Sequence, residues 1–221
     1  MMSQRKSWLA GLMAVCLGLG AGGCAVPSAL MYKFMGPPPI QPKYAFPQKP
    51  LLVLVENAHS GSVAIPEADE LSKVVYEELQ THKVAPLIDP AKVDDLRDRS
   101  GATFSKMTIS DIGRELGAQQ VLYLHVEQLD VQVPRGSEMV RLKIAIKAKV
   151  IDVPTAQTVW PMSGETEPYD YESGWQRADA VTTQTALNHQ ILRESGEEIS
   201  RWFYAYQPET MREENQDVRL R

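Results

Sequence analysis

Apolar and polar positions alternate along much of this 221-residue chain, and the period of the alternation changes several times. LLVLVE, residues 51–56, is an almost unbroken apolar run and predicts a strand buried on both faces. In PEADELSKVVYEELQTHK the period lengthens to that of a helix, with Pro66 suited to the first helical position. Ala68, Leu71, Val74, Val75 and Leu79 make its apolar stripe, and Glu70, Lys73 and Glu77 its wet side. VAPLI (84–88) predicts a short second strand, placed at an edge by its proline. TISDIGRELGAQQ predicts a helix capped by Thr108 with Asp111 three residues on, with Ile109, Ile112 and Leu116 inward and Gly117 as terminator.

The period then shortens to two. In VLYLHVEQL, Leu122, Leu124 and Val126 share one face, and Tyr123, His125 and Glu127 the other. MVRLKIAIKAKVIDV alternates most regularly: Val140, Leu142, Ile144, Ile146, Ala148 and Val150 oppose Arg141, Lys143, Lys147 and Lys149. A long strand with one dry and one wet face belongs to a sheet whose helices lie on a single side. PTAQ predicts a turn, TVWP a short returning strand, and Trp175 to Tyr206 a long helix bent near Gly196. Ala178, Val181, Leu192, Ile199 and Phe203 are its buried candidates. The order predicts an α/β chain of the α+β sandwich kind, a mixed β-sheet with helices packed mainly on one face.

The first fifty residues read differently. Arg5 and Lys6 precede an uncharged run from Trp8 to Gly23, sixteen residues long, whereas spanning a bilayer takes about 20. A basic head, an apolar middle and the small residues Ala21, Gly22 and Gly23 make a secretory signal. The run into Cys24 resembles the lipobox of bacterial lipoproteins, cut just before a cysteine that carries acyl chains, and this resemblance implies lipidation at Cys24. Two other readings stand beside it: a plain secretory signal with Cys24 incidental, and a retained membrane helix. Ala25 is not the Asp that retains lipoproteins at the inner membrane in the enterobacterial sorting rule, which favours the outer membrane. Removing residues 1–23 also removes Cys16, leaving no intramolecular disulfide and no cysteine-based metal site. GPPPIQPKYAFPQKP (36–50), with six prolines, predicts an extended spacer of about 45 Å, or an arm docked through Tyr44 and Phe46. The expected organisation is thus signal 1–23, lipid anchor and linker 24–50, one domain 51–206, and a polar tail 207–221.

Charge narrows the partners. With 21 basic against 28 acidic residues, the processed chain has a formal charge of −7, which argues against nucleic acid. His59, His82, His125 and His189 are dispersed, no HExxH or acidic calcium loop is present, and neither a metal nor a cofactor is expected. ENAHSG places Glu56, Asn57 and His59 in a loop after a buried strand, where α/β proteins often carry function. It lacks the GxSxG of a nucleophile elbow, and catalysis is not expected. The row Arg141, Lys143, Lys147 and Lys149 reads as a solvated face neutralised by neighbours such as Glu127, or as a docking surface. A docking surface would take an acidic protein, an anionic envelope polymer or lipid headgroups. An exposed strand edge would also admit a partner by strand addition. RWFYAYQPE gives Trp202, Phe203, Tyr204 and Tyr206, either closing the core or, as Trp202 and Tyr204, anchoring a partner.

ISDIGRELGAQQVLYLHVEQL resembles the helix, Gly-Ala, strand segment of a group of envelope proteins. The group comprises the curli-secretion lipoprotein, the lipoprotein activators of penicillin-binding proteins and the amino-terminal domain of the Tol translocation protein. IDVPTAQTVW resembles the group's hairpin of Asp, Thr-Gly and Trp, with Ala156 in place of the glycine. The resemblance implies a non-enzymatic lipoprotein facing the periplasm, attached to the outer membrane and acting by contact as an adaptor or as an assembly or regulatory factor. The alternatives are a structural subunit of an oligomeric envelope assembly and, less in keeping with the residues, a hydrolase of envelope polymer. The loop DVQVPRGSE is too short for the extended hairpins of a curli-type pore.

Overall fold

The computed structural model describes residues 38–57, 66–177 and 183–208. Residues 41–205 form one compact unit. In the other unit, Ile40 and Tyr206 form an antiparallel bridge through backbone bonds of 2.8 and 3.2 Å.

Among the described residues, six strands form a mixed sheet with four α-helices. Strand β1 (Leu51–Asn57) runs parallel to β2 (Gln120–Gln132), with Leu51 beside Gln120 and Glu56 beside His125. Their connection carries α1 (Pro66–Thr81), α2 (Ala91–Ser100), a 3-10 turn (Gly101–Lys106) and α3 (Ile109–Glu115). Strand β3 (Met139–Asp152) returns antiparallel to β2, with a bulge at Glu127 between Val126 and Gln128. The far edge of β3 is shared by β4 (Gln157–Trp160), β5 (Glu167–Glu172) and the two-residue β6 (Gln176–Arg177). Helix α4 (Gln184–Ser200) and a 3-10 turn (Arg201–Phe203) follow.

The larger core lies between one face of the sheet and the pair α1 and α4. Leu51, Val53 and Val55 meet Leu122, Leu124, Val126 and the six alternating apolar residues of β3 there. A second core covers the other face of β1 and the start of β2, where Leu52, Leu54 and Val121 pack on Val93, Leu96, Phe104 and Ile112. This explains the unbroken apolar run of β1. Helices α1 and α4 lie on one face, α2 and α3 cover the other only at β1 and the start of β2, and the outer face of β3 from Arg141 to Lys149 is left half-exposed.

Local rules set several boundaries. Thr108 and Asp111 form the full capping box at the start of α3, with Asp111 N donating to Thr108 Oγ1 at 3.2 Å. Gly117 ends that helix with φ 75°. Asp152 Oδ2 accepts from Thr155 N and Oγ1 at 3.2 and 2.8 Å, closing the β3–β4 turn.

Four expectations change. VAPLI is not a strand: a single bridge joins Leu87 to Leu51, because Pro86 has no N–H to continue a ladder. The segment from Trp175 is not the start of a helix; EPYDYE and QR add strands to β3, and α4 begins after Thr183. Gly196 lies inside one unbroken helix, Gln184–Ser200. It is where α4 and α1 touch, since a Cβ there would meet Val74 Cγ1 at 2.7 Å. The proline-rich stretch is no spacer from Gln41 onward: Phe46 is buried in the larger core. Gln120 Nε2 holds the backbone of that stretch through Pro47 O at 3.2 Å. Cys24, His59, Ala178, Val181 and residues 209–221 lie outside the described residues.

Candidate functional site

The side chains of β2 and β3 that turn away from the larger core make one continuous polar face. From β3 it carries Arg141, Lys143, Ala145, Lys147 and Lys149, and across the ladder from β2 lie Gln132, Asp130, Gln128, His125 and Tyr123. Pro168, Asp170 and Glu172 of β5 flank it on the other side. The basic row is interleaved with acids. Glu172 pairs with Arg141, Glu127 Oε1 lies 2.6 Å from Lys147 Nζ, and Lys143 has Asp130 and Glu172 as cross-strand neighbours. Lys149 Nζ sits 5.2 Å above the Tyr123 ring. The face therefore presents alternating signs instead of a uniform positive field.

Where the second core ends, the same face gathers a tighter cluster. Tyr123 Oη donates to Glu56 Oε2 at 2.8 Å and lies 3.5 Å from His125 Nδ1. The Tyr123 and His125 rings are nearly parallel, 11° apart, with centroids 6.3 Å apart. Burial pushes the Tyr123 phenol well up, and the Glu56 charge and hydrogen bond add to the shift. Glu56 thus belongs with Tyr123 and His125, two residues that the sequence reading left on a polar face without assigning them a site. The signal was the parallel register, which sets Glu56 beside His125. Asn57 ends β1 and His59 lies outside the described residues, so the predicted loop site is represented by its first two members.

The aromatic end divides. Trp202 is 9 % exposed and belongs to the core, with ring centroids 5.9 Å from Trp160 and 6.1 Å from Tyr169, so it is not a surface anchor. Apolar burial wins over display because the 3-10 turn after α4 folds Trp202 and Phe203 under the sheet. Tyr204 is half-buried, stacked on His82 at 3.6 Å, and donates to Glu78 Oε2 at 3.2 Å. Burial and then Glu78 raise its phenol to about 12. Among the described residues no three His, Cys, Asp or Glu side chains converge as metal ligands, and no helix is long and apolar enough to cross a membrane.

No family model and no curated protein matches the chain. Solved structures that it is similar to include lipoprotein GNA1162 from Neisseria meningitidis, with TM-score 0.43, 13 % identity, and coverage of 69 % of this chain and 99 % of that one. The PelC dodecamer from Paraburkholderia phytofirmans gives TM-score 0.43 and 12 % identity over 75 % and 96 % of the two chains. The LpoB C-terminal domain from Salmonella enterica gives 0.38 and 19 % over 66 % and 92 %. Bacterial lipoproteins are thus among the structures it is similar to, and at these scores neither partner nor activity passes from them to this chain.

Proposed function

We propose that this chain is a lipid-anchored protein of the bacterial cell envelope, attached through Cys24 to the outer membrane and facing the periplasm. It acts by contact with another envelope protein, as an adaptor or as an assembly or regulatory factor, without catalysis of its own. Its group, on this reading, is the one its helix, Gly-Ala, strand segment resembles. The observation that carries the contact role is the half-exposed outer face of β2, β3 and β5, where Arg141, Lys143, Lys147 and Lys149 alternate with Glu127, Asp130 and Glu172. Alternating signs fit a protein surface of matching pattern better than an anionic polymer, which would be repelled by the interleaved acids.

The experiment has two arms. The mass of the mature amino terminus should show Cys24 carrying acyl chains; a free thiol would remove the anchor. Crosslinking in the native cell should then yield a reproducible protein adduct of the full chain. The adduct should weaken when Lys143 and Lys147 are both changed to Glu, and a consistently solitary protein would count against the contact role.

A further inference from the structure

We infer that the far end of the β2–β3 hairpin, with β6 beside it, is the docking tip for an acidic protein partner; this rests on the contact role proposed above. The thirteen residues of β2 span about 40 Å, from Gln120, whose N–H bonds Pro50 O, out to Gln132 opposite Arg141. Beyond that point the two strands leave the helical cover and close in a turn, with Ser137 N donating to Pro134 O at 3.1 Å.

Two kinds of side chain that dominate binding energy meet here. Val133 is 56 % exposed and Trp175 48 %, and the register places β6, which starts one residue after Trp175, against Met139 and Val140. Arg141 Cζ lies 5.7 Å from the Trp175 ring, which holds the indole in place while leaving half of it in water. An exposed, pre-positioned Trp beside arginines is the composition of an interface anchor. Among the described residues of the tip, Arg141 pairs with Glu172 and Arg177 with Glu138, and Arg135 makes a third cation to two acids, on a chain whose formal charge is −5. The surplus is Arg135, exposed in the turn. Charge complementarity therefore selects an acidic surface with an apolar slot for Trp175.

The test uses the full-length chain in its native cells, with a photo-crosslinking phenylalanine analogue at position 133, at 145 on the sheet face, or at 162. Met162 is 99 % exposed, in the loop between β4 and β5, and serves as the control. The expected result is a protein adduct from position 133 and none from 162, with the partner's crosslinked peptide rich in Asp and Glu. With that partner purified, Trp175→Ala and Arg135→Glu should each weaken binding about 10-fold or more while leaving the thermal transition of the chain unchanged. An adduct from 145 but not from 133 would overturn the tip and leave the contact role standing, and silence at all three positions would overturn both. An adduct with a second copy, an adduct with lipid alone, a crosslinked peptide without excess acid, or unchanged affinity in Arg135→Glu would overturn the acidic-partner assignment.

Discussion

Ala156 holds a left-handed backbone, φ 56°, in the turn after β3, where an L side chain costs on the order of 1 kcal/mol. The Asp152 bonds to Thr155 keep the turn closed despite that cost, so the missing glycine alters its energy and not its geometry. Ala156→Gly should stabilise the chain by about 0.5–1 kcal/mol in denaturant unfolding, the gain being reduced by glycine's freer unfolded state. An unchanged midpoint would mean that the turn tolerates alanine without strain. Tyr204 makes a second residue-scale prediction. Its phenol is raised from 10.0 to about 12, so the folded state favours the protonated form. That contribution is complete below about pH 10 and fades as pH climbs towards 12, since the native state there binds more protons than the unfolded. Stability measured between about pH 9 and 11.5 should fall less steeply in Tyr204→Phe than in the parent chain. At the other extreme, Asp111 is held below the usual carboxylate range by Thr108 and then Arg114. The capping box should therefore contribute above about pH 4 and weaken as acid protonates Asp111, and Thr108→Ala should cost about 1 kcal/mol.

At the scale of elements, what was legible followed from period and capping. The alternation of β3 named its six residues in the larger core, and the Thr108 and Asp111 pair placed α3. Helix α2 was missed because AKVDDLRDRS carries only Val93 and Leu96 as buried residues, too few to show a period. Strand β5 was missed because its inward residues are Tyr169 and Tyr171, separated by charges, and its pairing with β3 is a long-range fact that no window contains. The site was legible in part: the basic row and its neighbour Glu127 could be named from the sequence, whereas Asp130 and Glu172 reach the row only through the pairings of β2 and β5 with β3. Gly196 was read as a local breaker, yet its reason lies on another helix. A Cβ there would stand 2.7 Å from Val74 Cγ1 and 3.2 Å from Leu71 Cδ1. Gly196→Ala should lower stability by about 1–2 kcal/mol, overpacking exceeding the gain in helix propensity. Val74→Ala in the same chain should recover part of the loss, whereas an additive double variant would show that the two helices do not press together at this point.

For the molecule as a whole, the decisive question is where the folded body begins. Composition left two readings of the amino-terminal arm, a spacer up to residue 50 because prolines disfavour regular structure, or an arm docked through Tyr44 and Phe46. From Gln41 onward those two aromatic residues decide for the second. Phe46 lies 5.0 Å from the Phe203 ring and Tyr44 lies 6.3 Å from Trp160, measured between centroids. Lys43 spans Glu167 at 2.7 Å and the Trp202 ring at 3.9 Å. The backbone joins in, as Tyr44 N donates to Trp202 O at 3.2 Å and Pro50 O accepts from Gln119 and Gln120. These contacts bind the segment 41–50 to the last turn after α4 and to the start of β2, closing the larger core from below. Phe46→Ala should therefore cost about 3 kcal/mol, the scale of a buried aromatic, whereas truncating Lys43, whose own side chain is about half in water, should cost about 1 kcal/mol or less. A chain starting at residue 51 should melt well below one starting at residue 41, and near-ultraviolet circular dichroism should lose the signal of the packed tryptophans. If the two chains melted together, the arm would be an ornament on a body complete without it; a clear gap would make residues 41–50 part of the fold itself.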